Sequence, residues 1–357
     1  MIIYFKDYYK SFFHTVKHFI IYITSLICYF SGLDYLVRRF RQPILIILTF
    51  HRIDSNPDPL CLSISEARLK RIIKVLSKRN LIVSIDDGVE LLKRRKAGIG
   101  YVFTFDDGYS DNYKLTKYSY DIPFLIYLST GLLGHRVLWP YQLLYCVYKT
   151  KLTSINLTKF GLKEYSLNNN NEKKDLINLL NNWLKQFSPK EIDKVIQELS
   201  QVFKVNLSDL KDRMLTLNEV KEMAKKGVEF GGHTVNHAIL SNLSPEEQKK
   251  EIKDCYTHLS QLFPDKKYFH FAYPNGNAKD FTDITVHLIS NSNFSSAVTT
   301  IYGINNSNAD FFKLRRIAVS DTSFLTPWNT FSVAKFFSET SGVLGLIKEY
   351  LNERKKE

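Results

Sequence analysis

Long apolar runs, cysteine pairs and dense basic patches are all scarce in this chain of 357 residues. Its four cysteines, Cys28, Cys61, Cys146 and Cys255, lie far apart, and no CxxC pair occurs. That excludes a zinc ribbon or a dithiol redox motif, and reduced, packed thiols are expected instead. A disulfide framework does not suit a chain this long. The uncharged stretch HFIIYITSLICYFSGL (18–33) falls short of the roughly 20 apolar residues that a membrane span needs. No clear small-residue cleavage site comes after it, which argues against a signal peptide. No repeat of fixed period is present, so a solenoid is excluded. Lys and Arg number 49 against 36 Asp and Glu, a net charge of +13. They are spread along the chain, with no dense patch interleaved with aromatics, so nucleic acid is not an expected partner.

The residues that are abundant fit a folded protein: 44% hydrophobic and 24% charged, enough chain for one large α/β domain or two ordinary ones. Residues 1–41 form a hydrophobic and basic segment, with Lys6, Lys10 and Lys17 before the uncharged stretch and Arg38, Arg39 and Arg41 after it. Three readings are open: an anchor in a membrane interface, a true span, or a helix packed on the protein's own surface. Abundant Tyr and Phe suit the interface.

From residue 42 onward, short apolar runs alternate with amphipathic stretches. ILIILTF (44–50), LIVSI (81–85), YVFTF (101–105) and IPFLIYL (122–128) read as strands, and ARLKRIIKVLSKR (67–79) and VELLKRRK (89–96) as helices. VEFGG, KYFHFAYP, SSAVTT and LRRIAVS continue the strands, and LTLNEVKEMAKKG and FTDITVHLIS the helices. The rhythm predicts a parallel sheet or barrel with helices outside. It breaks over 139–213, where helical stretches and an Asn-rich tract predict a mainly helical insertion lying over one rim. Capping boxes at SPKE and SPEE mark two helix starts.

Two Asp-Asp-Gly triplets stand out. In SIDDGVELL the triplet comes after a strand and opens an amphipathic helix, and capping by Ser84 or Asp86 explains it fully. TFDDGYSDN has no such helix behind it. Asp106 and Asp107 stand at the carboxyl end of a strand, where α/β folds place active sites. Neighbouring side chains there point in different directions, so one carboxylate can bind a metal while the other faces a water. GGHTVNH puts His233 and His237 after another strand. One helical turn or a tight loop would bring both imidazoles to one side. One carboxylate and two histidines leave a coordination position open for water.

TFDDGY, HTVNH and FAYPNG, in that order, resemble the metal-dependent polysaccharide deacetylases that share the chitooligosaccharide-deacetylase homology domain. The resemblance implies a distorted (β/α) barrel of seven or eight strands over 42–350, interrupted by the insertion 139–213. It implies Asp106 as general base, Asp107, His233 and His237 as metal ligands, and the Asn275 backbone N–H as an oxyanion donor. LTFHRI resembles the permuted branch acting on exopolysaccharides, which implies His51 as the general acid. The arginines usual in the third motif are replaced here by Phe271 and Tyr273. LRRIAV could supply the arginine that orients the base, with Arg316 favoured over Arg315. Trp139 and Tyr141 are either sugar-stacking or core aromatics.

The expected protein is a Zn2+ hydrolase (Co2+ or Ni2+ as alternatives) that removes N-acetyl groups from a glycan and releases acetate. An O-acetyl esterase and a non-catalytic glycan-binding or membrane scaffold are the other readings. The hydrophobic N-terminus implies contact with a membrane surface through residues 1–41, in a bacterium at the inner membrane with the side undecided, or else a cytoplasmic location.

Overall fold

The computed structural model describes residues 16, 18–33, 35–36, 43–56, 62–95, 97–135 and 137–344. Cys61, Lys6, Lys10, Lys17, Arg38, Arg39 and Arg41 lie outside the described residues. Strands β1 (Ile44–Phe50), β2 (Arg52–Ile53), β3 (Ser63–Ile64), β4 (Ile99–Phe105), β5 (Phe124–Leu128), β6 (Ser154–Asn156), β7 (Glu164–Ser166), β8 (Glu229–Gly232), β9 (Phe269–Ala272), β10 (Phe294–Tyr302) and β11 (Leu314–Ala318) run in chain order. Seven of them close a parallel barrel in the order β1-β11-β10-β9-β8-β5-β4. The expected barrel is therefore present, with seven strands. Every residue of β1 and β5 is buried, as strands covered on both faces require, and their sequences read as unbroken apolar runs.

The helices are α1 (18–30), α2 (Glu66–Ser77), α3 (Ile85–Lys93), α4 (Trp139–Lys149), α5 (Asn170–Leu184), α6 (Pro189–Val202), α7 (Leu217–Lys225), α8 (Pro245–Leu262), α9 (Asp283–Ser290) and α10 (Val333–Thr340). Capping boxes start α6 at Ser188 and α8 at Ser244, as SPKE and SPEE predict. LIVSI is not a strand. Ile82 makes a single parallel bridge to Tyr101, and Ser84 already caps α3, so the cap overrides the β-branched run before it.

The chain divides into two compact units, Met1–Thr104 with Ile301–Asp310 and Leu314–Glu357, and Phe105–Thr300 with Phe311–Lys313. In the first, the described part of the N-terminal segment includes the helix α1. Among the described residues no helix is long and apolar enough to cross a membrane. Within the second unit, the stretch between β5 and β8 holds α4, α5, α6 and a β6–β7 hairpin that the polar composition of the tract concealed. Cys146 and Cys255 are buried in this unit, their thiols pushed up to about 12 chiefly by desolvation, and Cys28 is buried in the first. Such thiols are inert packing groups.

Candidate metal centre

Strand β4 ends at Phe105 and delivers Asp106 and Asp107 into the interior, 2% and 3% exposed. The backbone then turns through two left-handed residues, Asp107 (φ 75°) and Gly108 (φ 85°). Asp tolerates this region better than most residues. A Cβ on residue 108 would lie 2.7 Å from Leu128 Cδ2, so glycine is needed there for space as well as for φ. The turn is pinned by Leu215, whose N–H donates to the Gly108 carbonyl (2.8 Å), and by Ser110, whose N–H donates to Arg213 O (3.0 Å). The buried Tyr109 ring packs edge-on against Tyr141, with centroids 5.4 Å apart. Tyr141 is thus a core aromatic, and Trp139 is half-buried.

Residues 213–215 are themselves held. Arg213 and Glu219 form a two-pronged pair (2.7 Å each), and Glu219 also accepts from the N–H and hydroxyl of Thr216, which caps α7. These contacts, led by Arg213, pull the Glu219 carboxyl down to about 2. Thr216 and Glu219 form a capping box at the start of α7, and the link from it to the DDG turn is a tertiary contact that no local motif signals.

Strand β8 ends at Gly232, and His233 N–H donates to Leu128 O (2.9 Å). A Cβ on Gly231 would come within 2.5 Å of His270 O, so β8 can lie against β9 only without a side chain there. His233 and His237 are joined by a tight turn, not a helical one, with Thr234 (φ 62°) and His237 (φ 53°) both left-handed. Glu251 of α8 holds this turn. Its carboxylate accepts from Val235 N (2.8 Å), Asn236 N (3.2 Å) and Asn236 Nδ2 (2.7 Å). Strain of this kind persists only when neighbours over-determine it. No motif marked Glu251 in the sequence, because it stands mid-helix in an ordinary charged stretch.

The result is a compact donor set. Asp107 Oδ1 lies 3.3 Å from His233 Nε2 and 3.2 Å from His237 Nε2. One ligand atom from each of the three residues falls within 4.8 Å of the others. His233 Nδ1 is 2.7 Å from the Ala272 carbonyl, which can only accept, so Nδ1 carries a proton. That leaves the Nε2 edge, 3.3 Å from Asp107 Oδ1, as the one a metal would take; without a cation, a proton on Nε2 can fill the same place. Burial lowers the His233 pKa, but the carboxylates of Asp107 and Asp106 outweigh it and raise the net value. The donors therefore fit a divalent ion of the kind bound by one carboxylate and two imidazoles.

Asn275 is half-buried in the FAYPNG turn, left-handed at φ 64°. Its side chain donates to Asp280 Oδ2 (3.1 Å), which also accepts Asn277 N–H (2.8 Å). Thr300 Oγ1 donates to its carbonyl (2.6 Å). Phe271 and Tyr273 are fully buried, with Tyr273 OH donating to Phe312 O (2.8 Å), so these positions are filled by packing where arginine was usual. In the first unit, His51 comes directly after β1 and is half-buried. Arg316 on β11 is 1% exposed, with Nη1 donating to Thr104 Oγ1 (3.3 Å), while Arg315 points out to solvent.

The fold and site define a class, closed parallel barrels with an Asp-His-His donor set able to hold a metal at strand ends, and similarity narrows it. A family model described as polysaccharide deacetylase matches residues 208–291. YxkH of Bacillus subtilis (strain 168), which bears a polysaccharide deacetylase name, is 27% identical over 106 residues, or 30% of this chain; the chain spans 37% of that relative's length. Two solved structures share the fold. The Streptococcus pyogenes deacetylase PplD in complex with acetate has a TM-score of 0.52 at 20% identity and covers 81% of this chain and 97% of its own. IcaB from Ammonifex degensii has a TM-score of 0.52 at 16% identity and covers 84% of this chain and 97% of its own. The resemblance seen in the motifs thus holds in sequence over 208–291 and in fold over most of the chain.

Proposed function

We propose that the protein hydrolyses acetamido groups on a glycan, releasing acetate and a free amine. The observation that carries this reading is Asp107 Oδ1 set between the two histidine Nε2 atoms, with a second buried carboxylate, Asp106, next to it in the chain. Asp107, His233 and His237 would hold the metal, with Zn2+ suited to this donor set. A bound divalent ion supplies Lewis acidity to the acyl oxygen and lowers the pKa of the attacking water.

The remaining steps fall to side chains and backbone. Asp106, as carboxylate, takes a proton from the attacking water. The Asn275 N–H donates to the oxyanion that develops on the acetyl carbonyl. His51 donates a proton to the departing sugar nitrogen. Arg316, buried on β11, is the arginine that orients the base carboxylate. The turn at Asn275 supports its role, because Asp280 and Thr300 fix its side chain and carbonyl and leave the N–H without an acceptor among the described residues. The PplD structure is in complex with acetate, the small product that this reaction would release.

The test is acetate release from a panel of N-acetylated and O-acetylated glycans by metal-loaded protein, beside a metal-stripped sample. Release from N-acetylated substrates that depends on metal and on Asp106 supports the reading. Release from O-acetylated substrates alone would make the protein an esterase, and no release from any would leave a binding module.

A further inference from the structure

The helix α1 has two faces. One is docked on the first unit: Ser25 and Cys28 are buried, Ser338 Oγ donates to the Ser25 carbonyl (3.1 Å), and Tyr29 stacks on Phe337 with centroids 6.0 Å apart. Arg79 Nη2 also donates to Tyr29 OH (2.9 Å). The other face carries Phe19, Ile20, Ile23, Ile27 and Phe30, all exposed, Ile27 to 63% and Phe30 to 78%. At 3.6 residues per turn these five side chains fall within an arc of about 100°. Trp328, 69% exposed and from a distant loop, packs edge-on against Tyr22 of the same helix. Two separate segments of the chain thus present large apolar side chains side by side. A contiguous exposed stripe of this kind marks an interaction surface.

We propose that this stripe is a docking face for an anionic lipid bilayer, with α1 lying in the membrane surface and the first unit held against it. The stretch 18–33 has no charged residue, while lysines 6, 10 and 17 precede it and arginines 38, 39 and 41 come after, in a chain of net charge +13. That is the charge pattern of a helix drawn to acidic headgroups while its apolar side enters the acyl boundary. Phe and Trp suit that depth. The described helix runs over residues 18–30. Its inner face is already occupied by protein, so it lies along the surface and does not cross it. This inference does not depend on the proposed reaction.

The experiment is co-sedimentation of the full-length protein with phosphatidylglycerol–phosphatidylethanolamine vesicles and with phosphatidylcholine vesicles. The comparison is with Ile27→Ser/Phe30→Ser, two exposed positions whose substitution leaves the core intact, as circular dichroism would verify. Binding to the anionic vesicles, weakened at least about tenfold in the double variant and by added salt, is expected. Tryptophan emission should shift to the blue on vesicle addition and lose that shift in Trp328→Phe. Equal binding by wild type and double variant overturns the proposal. So does self-association in sedimentation velocity that the double variant abolishes without any vesicle binding, which would give the face to a second copy of the chain.

Discussion

Asp86-Asp87-Gly88 and Asp106-Asp107-Gly108 share three letters and little else. In the first, both aspartates are exposed in the first turn of α3. Ser84 Oγ donates to Asp87 Oδ2 (2.7 Å), and the Asp87 N–H donates back to Ser84 Oγ (3.1 Å). Water and the helix N-terminus stabilise these charges. In the second, both aspartates are buried and the backbone at Asp107 is left-handed. Burying two adjacent carboxylates is costly unless positive charge meets them. Two imidazoles face one of the carboxylates, in a set able to hold a cation. The residues directly after each triplet decide its fate. VELL continues a helix with Val89 and Leu92 inward, whereas Tyr109 is drawn into the core beside Tyr141.

The sharpest way to break the comparison is to neutralise one carboxylate in each triplet. Asp106→Asn should lower acetate release by about a thousandfold or more while retaining metal. Asp86→Asn should leave the rate unchanged. Full activity in Asp106→Asn would end its assignment as the base. Next, His233→Ala or Asp107→Ala should reduce metal content, measured by elemental analysis, to background, and Asp87→Ala should keep the wild-type stoichiometry. Equal metal content in all of them would remove the proposed centre.

A smaller effect is expected at Glu251, which touches no ligand and acts through the turn between the two histidines. Glu251→Gln should weaken metal affinity by about tenfold with little change in thermal midpoint. Unchanged affinity would reduce Glu251 to a surface contact. The brace behind the DDG turn can be probed by pH. Glu219 sits at about 2, below its ordinary 4.5, so its contribution is complete above pH 4.5 and is lost as pH falls towards 2. Wild type should therefore lose stability more steeply across that window than Glu219→Gln, and parallel curves would refute the brace. The smallest effect belongs to the first triplet: Ser84→Ala removes a helix cap, costing about 1 kcal/mol in chemical denaturation, with no change in bound metal.

Much of the fold was legible because its signals are local. Apolar runs bounded by turn residues located β1, β4, β5 and β11, and the SPKE and SPEE boxes located two helix starts. LIVSI failed because its β-branched letters compete with a cap one residue later, and the β6–β7 hairpin was hidden in polar sequence. At the candidate centre, the spacing of His233 and His237 was readable, but a left-handed turn, not a helix, brings them together. Strand alternation sends Arg316 inward and Arg315 to solvent, a difference that the paired letters of LRRIAV do not show by themselves.

The amino-acid order alone determined most of the barrel strands, the capped helix starts and the donor types that stand at the strand ends, since periodicity and capping act over a few residues. Only the tertiary structure decided that Oδ1 of Asp107 meets both Nε2 atoms, that Glu251 braces the turn between the two histidines while the Ala272 carbonyl holds His233, and that α1 keeps an apolar face outward. Those contacts join residues remote in the chain. Their geometry comes from strand register in a closed barrel, where a slip of one residue turns every side chain to the opposite face.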